Sequence, residues 1–131
     1  MAVLVAAWLL GCSTPQTRVD TGARGVGQSF FEALLKKDWR AAYAALHPNS
    51  QAACTVEEFG RRAERYRRSL GFEPEVVHVR SCEEHGAEAV MHVVFSSEKN
   101  AGGRLFKDAV TLRTTPTGWA VILPENFGNQ R

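Results

Sequence analysis

A chain of 131 residues has room for one compact domain and a short leader. Its composition, 44% hydrophobic and 23% charged, is that of a globular protein, and the lack of low-complexity tracts or long-period repeats excludes a solenoid, a coiled coil and wholesale disorder. A near balance of 16 basic against 14 acidic residues excludes generic binding to nucleic acid, which needs a strongly basic face.

The chain opens MAVLVAAWLLGCSTPQT. From Ala2 to Leu10 it is uncharged and apolar, the length of a signal-peptide core and far short of the roughly 20 residues a transmembrane helix needs. The abrupt change to STPQTRVDTGARG reads as a tether, the alternative being a buried amino-terminal helix or strand. Leu9-Leu10-Gly11-Cys12 resembles the lipobox of bacterial lipoproteins. The resemblance implies cleavage before Cys12, diacylation of its thiol and an anchored protein facing the periplasm or the exterior. More than one acyl chain holds firmly, because each buried methylene contributes about 0.8 kcal/mol and a single chain binds only marginally. Residues 1–11 are then a signal peptide, 12–24 a polar tether, 25–124 the folded domain and 125–131 a tail.

Val26, Phe30, Phe31, Ala33, Leu34 and Leu35 recur at three- and four-residue steps and predict an amphipathic helix ending near Lys36-Lys37. Asp38 can cap a second, with Trp39, Ala42, Tyr43 and Leu46 on one stripe, and His47-Pro48 should end it because the residue before proline avoids helical angles. The third helix carries a capping-box spacing at Thr55 and Glu58, an apolar stripe of Val56, Phe59, Ala63, Tyr66 and Leu70, and a terminating Gly71. Its other face bears Arg61, Arg62, Arg65, Arg67 and Arg68. Glu57, Glu58 and Glu64 each stand one turn ahead of an arginine, so a solvated, ion-paired face accounts for them, with an acidic ligand as the sharper alternative.

Beyond Pro74 the pattern changes to short strands, EVVHVRSC, AEAVMHVVFSS, RLFKDAVTLRT and GWAVIL, separated by turn-forming residues. Helices first and a meander second give an α+β fold: three amino-terminal helices on one face of a curved four-stranded antiparallel sheet. The stretch from Val90 to Phe95 is apolar on both faces, as in a central strand, which leaves the open sheet face available to a second copy of the chain.

FFEALLKKDWRAAYAALHP, then TVEEF, then a strand-rich half closing on GWAVIL, is similar to the nuclear-transport-factor-2-like domains, especially their small bacterial lipoprotein members. The resemblance spans roughly Gly22 to Leu123. It implies a cone-shaped domain but no particular chemistry, because the family includes isomerases, cyclases, dehydratases and non-catalytic binding or assembly modules.

With Cys12 assigned to lipid, Cys54 and Cys82 remain. A bridge between them would stabilise by about 3–4 kcal/mol if geometry allows; the alternative is two separate buried thiols. Hairpins centred on His85 and Asn100 would set His92 opposite both His78 and Asp108, with Asp108 pointing into an apolar cavity where burial would suit it to proton transfer. Registry from one sequence is easily shifted by a residue, which reverses the faces, and then these are ordinary polar positions. Phe31, Tyr43, Phe59 and Tyr66 fall on apolar stripes as core aromatics, or line a cavity. No metal site is expected, since two histidines fall short of zinc's three or four ligands, and no cofactor motif is present. The residues therefore favour a lipid-anchored, non-catalytic module binding a small apolar ligand or an envelope protein. The alternative is a small isomerase- or dehydratase-type enzyme using Asp108 and His92.

Overall fold

The structure is a computed structural model that describes residues 20–97 and 103–129. Cys12 and residues 1–19 lie outside the described residues, so the leader and most of the tether are not placed.

Helix α1 (Ala23–Leu35) starts behind Gly22, whose φ of 115° favours glycine, and buries Phe30, Phe31, Ala33 and Leu34. Asp38 caps α2 (Trp39–Ala44) by accepting from the Ala41 N–H at 3.2 Å. The expected stop at His47-Pro48 is also a start: Pro48 occupies the first turn of a short helix α3 (Pro48–Ala53), where its missing N–H costs nothing. Among the described residues the helices therefore number four and not three. Thr55 caps α4 (Val56–Ser69), its hydroxyl accepting from the Glu58 N–H at 3.1 Å, and acidic residues fill the first turn and basic ones the last.

Strands β1 (Val76–His85), β2 (Glu88–Ser96), β3 (Leu105–Thr115) and β4 (Gly118–Ile122) form an antiparallel meander in the order β1-β2-β3-β4. The α+β arrangement, helices against one face of this sheet, is the one the sequence pattern implies. The edge of β4 is covered by the segment joining α2 to α3: the His47 N–H donates to the Val121 carbonyl at 2.7 Å and the Val121 N–H to the Ala45 carbonyl at 2.9 Å.

Both hairpins depart from the expected registry. Gly86 adopts φ 64° as the first of two turn residues, moving the first turn past His85, and β1 has an irregularity between Val79 and Ser81. In the first hairpin His92 consequently pairs with Ser81 and His78 with Val94; in the second, His92 pairs with Ala109 and Asp108 with Val93, one residue from the expected partners.

The packed unit is wider than 25–124. The Thr21 hydroxyl accepts from the Trp119 indole at 2.8 Å, and the Thr21 N–H donates to the Glu84 carboxylate. At the other end, the segment expected as a tail folds back and buries Phe127 in the core. Burial of one large ring outweighs the ordering cost of a few residues when their carbonyls are also bonded.

Candidate functional site

The space between helices and sheet is filled by rings. Phe31, Phe59 and Tyr66 are buried at 2%, 0% and 2% exposure, and Phe95 and Phe127 join them. Phe127 stacks on Tyr66 at 4.8 Å and on Phe59 at 5.8 Å, and Phe31 meets Phe95 edge-on at 5.4 Å. Tyr43 sits half-buried at the side, its hydroxyl 2.8 and 2.9 Å from the Gln51 and Cys54 carbonyl oxygens. The aromatic side chains expected as cavity lining occupy the interior themselves. Phe127 is the residue that sequence reasoning missed; its signal is one aromatic ring in an otherwise polar end, PENFGNQR.

Arginines of α4 hold that end. Arg62 donates to the carbonyls of Phe127 at 2.9 Å and Glu125 at 3.0 Å, and Arg65 to the Gly128 carbonyl at 3.0 Å. A side chain at Gly128 would place its Cβ 2.1 Å from the Arg62 carbonyl oxygen, and the residue has φ 74°, so two constraints select glycine there. Arg67 is buried at 6% exposure, donating to the Leu34 and Leu35 carbonyls at the end of α1 and pairing with Glu73. The expected solvated arginine face is thus corrected: Arg62, Arg65 and Arg67 brace the fold. Backbone carbonyls left over at a helix end and in an irregular segment need donors, which the guanidinium supplies in a fixed fork.

Inside the cone, the Tyr66 hydroxyl donates to the Asp108 carboxylate at 2.6 Å. Burial, then the Asp108 charge and that hydrogen bond, push the Tyr66 hydroxyl far above the ordinary tyrosine range, so it stays protonated as a donor. The other Asp108 oxygen accepts from the Ala109 N–H at 2.7 Å. His92 belongs to the opposite sheet face: on β2 it alternates with buried Met91 and Val93, whereas Asp108 alternates with Val110 and Leu112 toward the helices. The expected alignment of His78, His92 and Asp108 is therefore not made. A β2–β3 pairing one residue from the expected one puts His92 and Asp108 on opposite faces.

Cys54 and Cys82 are free thiols, so the expected bridge is absent. Cys54 packs near the Ser50 carbonyl on the β4 side, where the Ser50 hydroxyl accepts from the Leu123 N–H. Cys82 lies on β1, the opposite edge; three strand spacings put those edges ~14 Å apart, twice the reach of a disulfide. Burial, and secondarily the charges of Glu84 and Asp20, push the Cys82 thiol up against the lowering effect of Arg24. Among the described residues no three His, Cys, Asp or Glu side chains are grouped to hold a metal, and no helix is long and apolar enough to cross a membrane.

An open depression of about 400 Å³ is lined by Arg80, Ser81, His92 and Lys107, on the sheet face turned away from the helices, and by Val93 and Asp108, whose side chains turn toward the helices. Val90 and Leu105, at 38% and 63% exposure, are the large exposed apolar residues of this face.

No family model and no curated protein matches this sequence. Solved structures do. A Campylobacter jejuni protein named as a nuclear-transport-factor-2-like transpeptidase superposes with a TM-score of 0.58 at 9% identity, over 77% of this chain and 97% of that one. The fold is that of the nuclear-transport-factor-2-like domains. A SEC-C-motif protein of Rhodopseudomonas palustris is also similar, with a TM-score of 0.53 and 14% identity over 75% of this chain and 73% of its own. At such identities the likeness is one of fold, and a nuclear-transport-factor-2-like fold is compatible with ligand binding or with enzyme-like roles.

Proposed function

We propose that this chain is a non-catalytic binding or assembly module of a bacterial envelope, carried on a membrane by acyl chains on Cys12, and that its working surface is the open sheet face. The observation that supports the binding role is the filled interior. Phe127 closes the cone against Phe59 and Tyr66, and the inner carboxylate, Asp108, is engaged by Tyr66 with His92 on the other side of the sheet. Proton transfer needs an acid and a base within reach of one substrate, and a small apolar ligand needs unoccupied space. Among the described residues the rings fill the space between Phe59, Tyr66 and Phe127, and the inner carboxylate is engaged by Tyr66. A partner can use the outer face, where Arg80, His92 and Lys107 surround a depression beside exposed Leu105; a second depression, of about 510 Å³, lies between the end of α1 and the start of β1.

The envelope address rests on the resemblance of Leu9-Leu10-Gly11-Cys12 to a lipobox. Mass spectrometry of the membrane-extracted protein tests it: the expected product begins at an acylated Cys12. An intact Met1, or a product that leaves the membrane in water, contradicts the anchor.

A further inference from the structure

The irregularity in β1 does more than shift registry. Arg80 is left without a partner between Val79, which pairs with Val93, and Ser81, which pairs with His92. A bulge lets two consecutive side chains share one side of a sheet, and Arg80 and Ser81 line the same outer depression. His92 from β2 and Lys107 from β3 complete its rim, so three adjacent strands contribute a guanidinium, a hydroxyl, an imidazole and an ammonium to one place.

These groups are unspent. Among the described residues Arg80, His92 and Lys107 make no hydrogen bond or ion pair with another side chain. The acid in the lining, Asp108, keeps its negative charge but turns its carboxylate to the Tyr66 hydroxyl and the Ala109 N–H, so two cations stand against one anion there. At the far end of the same face Arg113 is matched by Glu88 at 2.8 Å. The face is therefore divided into a compensated end and a cationic end. Like charges gathered without local partners repel one another, and an anion placed among them relieves that.

We propose that this depression is a binding site for a phosphate group, free or borne on an organic molecule. A phosphate presents three or four oxygens in a tetrahedral array, enough to accept from all four groups, whereas a carboxylate offers two in a plane. An arginine fork beside a lysine point charge suits that ligand, and Leu105, two residues before Lys107 on the same face, gives an attached apolar portion a contact. The proposal deepens the reading of the outer face as the working surface and rests on it.

The test is a nuclear magnetic resonance titration of the full chain with inorganic phosphate at constant ionic strength, with acetate as comparator. Saturable shifts at Ser81, His92 and Lys107 are expected with phosphate, and weaker binding with acetate. The Arg80→Gln/Lys107→Gln variant should bind about tenfold more weakly or worse, and Arg113→Gln at the compensated end should bind as the unaltered chain does. All three positions are exposed, so the variants should fold. Shifts that rise linearly without saturation, equal binding of acetate, or unchanged binding by the double variant overturns the proposal. Dihexanoyl phosphatidylglycerol below its micellar concentration separates sources: tighter binding than phosphate at the same residues identifies a headgroup, and equal binding the phosphate group alone. If phosphate fails while benzene stays out of the interior, the outer-face reading stands without its anion; if benzene enters, that reading falls.

Discussion

The Tyr66 hydroxyl, on α4, donates to the Asp108 carboxylate, on β3, at 2.6 Å. This bond joins the longest helix to a central strand across a core of rings, and it gives the inner carboxylate a structural partner. Tyr66→Phe keeps the ring contacts with Phe95 and Phe127 but withdraws the donor. The variant should lose about 1–3 kcal/mol in urea unfolding, the cost of leaving a partly buried acceptor unsatisfied.

The same pair gives a pH dependence. Folding raises the Tyr66 pKa above its unfolded value. Its stabilising contribution is then fully present below the unfolded tyrosine pKa of about 10 and is lost progressively at higher pH, where the unfolded chain releases its proton and the folded one does not. Thermal unfolding followed by circular dichroism should show stability falling above that pH, with a shallower fall in Tyr66→Phe.

The carboxy-terminal segment should behave as part of the core. Phe127→Ala is expected to cost about 3–5 kcal/mol, the usual range for removing a buried phenyl ring. Gly128→Ala should free the segment by another route, since its Cβ would collide with the Arg62 carbonyl. Limited proteolysis should cut both variants between Pro124 and Asn129 faster than the unaltered chain; equal rates would mean the segment is not held.

Arg67 bonds the carbonyls that end α1. Arg67→Ala should destabilise by about 2–3 kcal/mol, in the range of hydrogen bonds to a charged group, and Arg67→Lys by less. Arg61→Ala, at an exposed position of the same helix, should be nearly neutral in the same urea titration.

Thiol chemistry should find Cys54 and Cys82 unlinked. Alkylation of the denatured, unreduced protein should modify both, read by peptide mass. In the native state Cys54 should be protected by burial, and Cys82 should react more slowly at pH 8 than an unperturbed thiol, because its raised pKa lowers the thiolate fraction. A Cys54–Cys82 peptide pair would contradict the sheet geometry.

The architecture was legible because its signals are local. The capping residues Asp38 and Thr55 and the three- to four-residue spacing from Phe30 to Leu34 act within one helix and need nothing from the rest of the chain. The site was less legible, because it depends on long-range pairing. The turn at Gly86 gives His92 the partner Ser81 in place of His78, and in the separate β2–β3 pairing a shift of one residue parts His92 from Asp108, because one residue separates a shared face from opposite faces. The α4 arginines show another limit. Glutamates one turn ahead suggested local pairs, but the carbonyls of α1 and of the carboxy-terminal segment, far away in sequence, recruited Arg62, Arg65 and Arg67. Phe127 was hidden for the same reason, since neither its chain neighbours nor any periodicity marks it as core.

The central claim is that the cone is filled by its own aromatic rings and leaves partners the outer face. Titrating the full chain with benzene, while observing the resonances of Phe31, Phe59, Tyr66, Met91 and Phe127, tests it most directly. No saturable shift at these residues is expected. Saturable shifts confined to them would show space in the interior and would contradict the account.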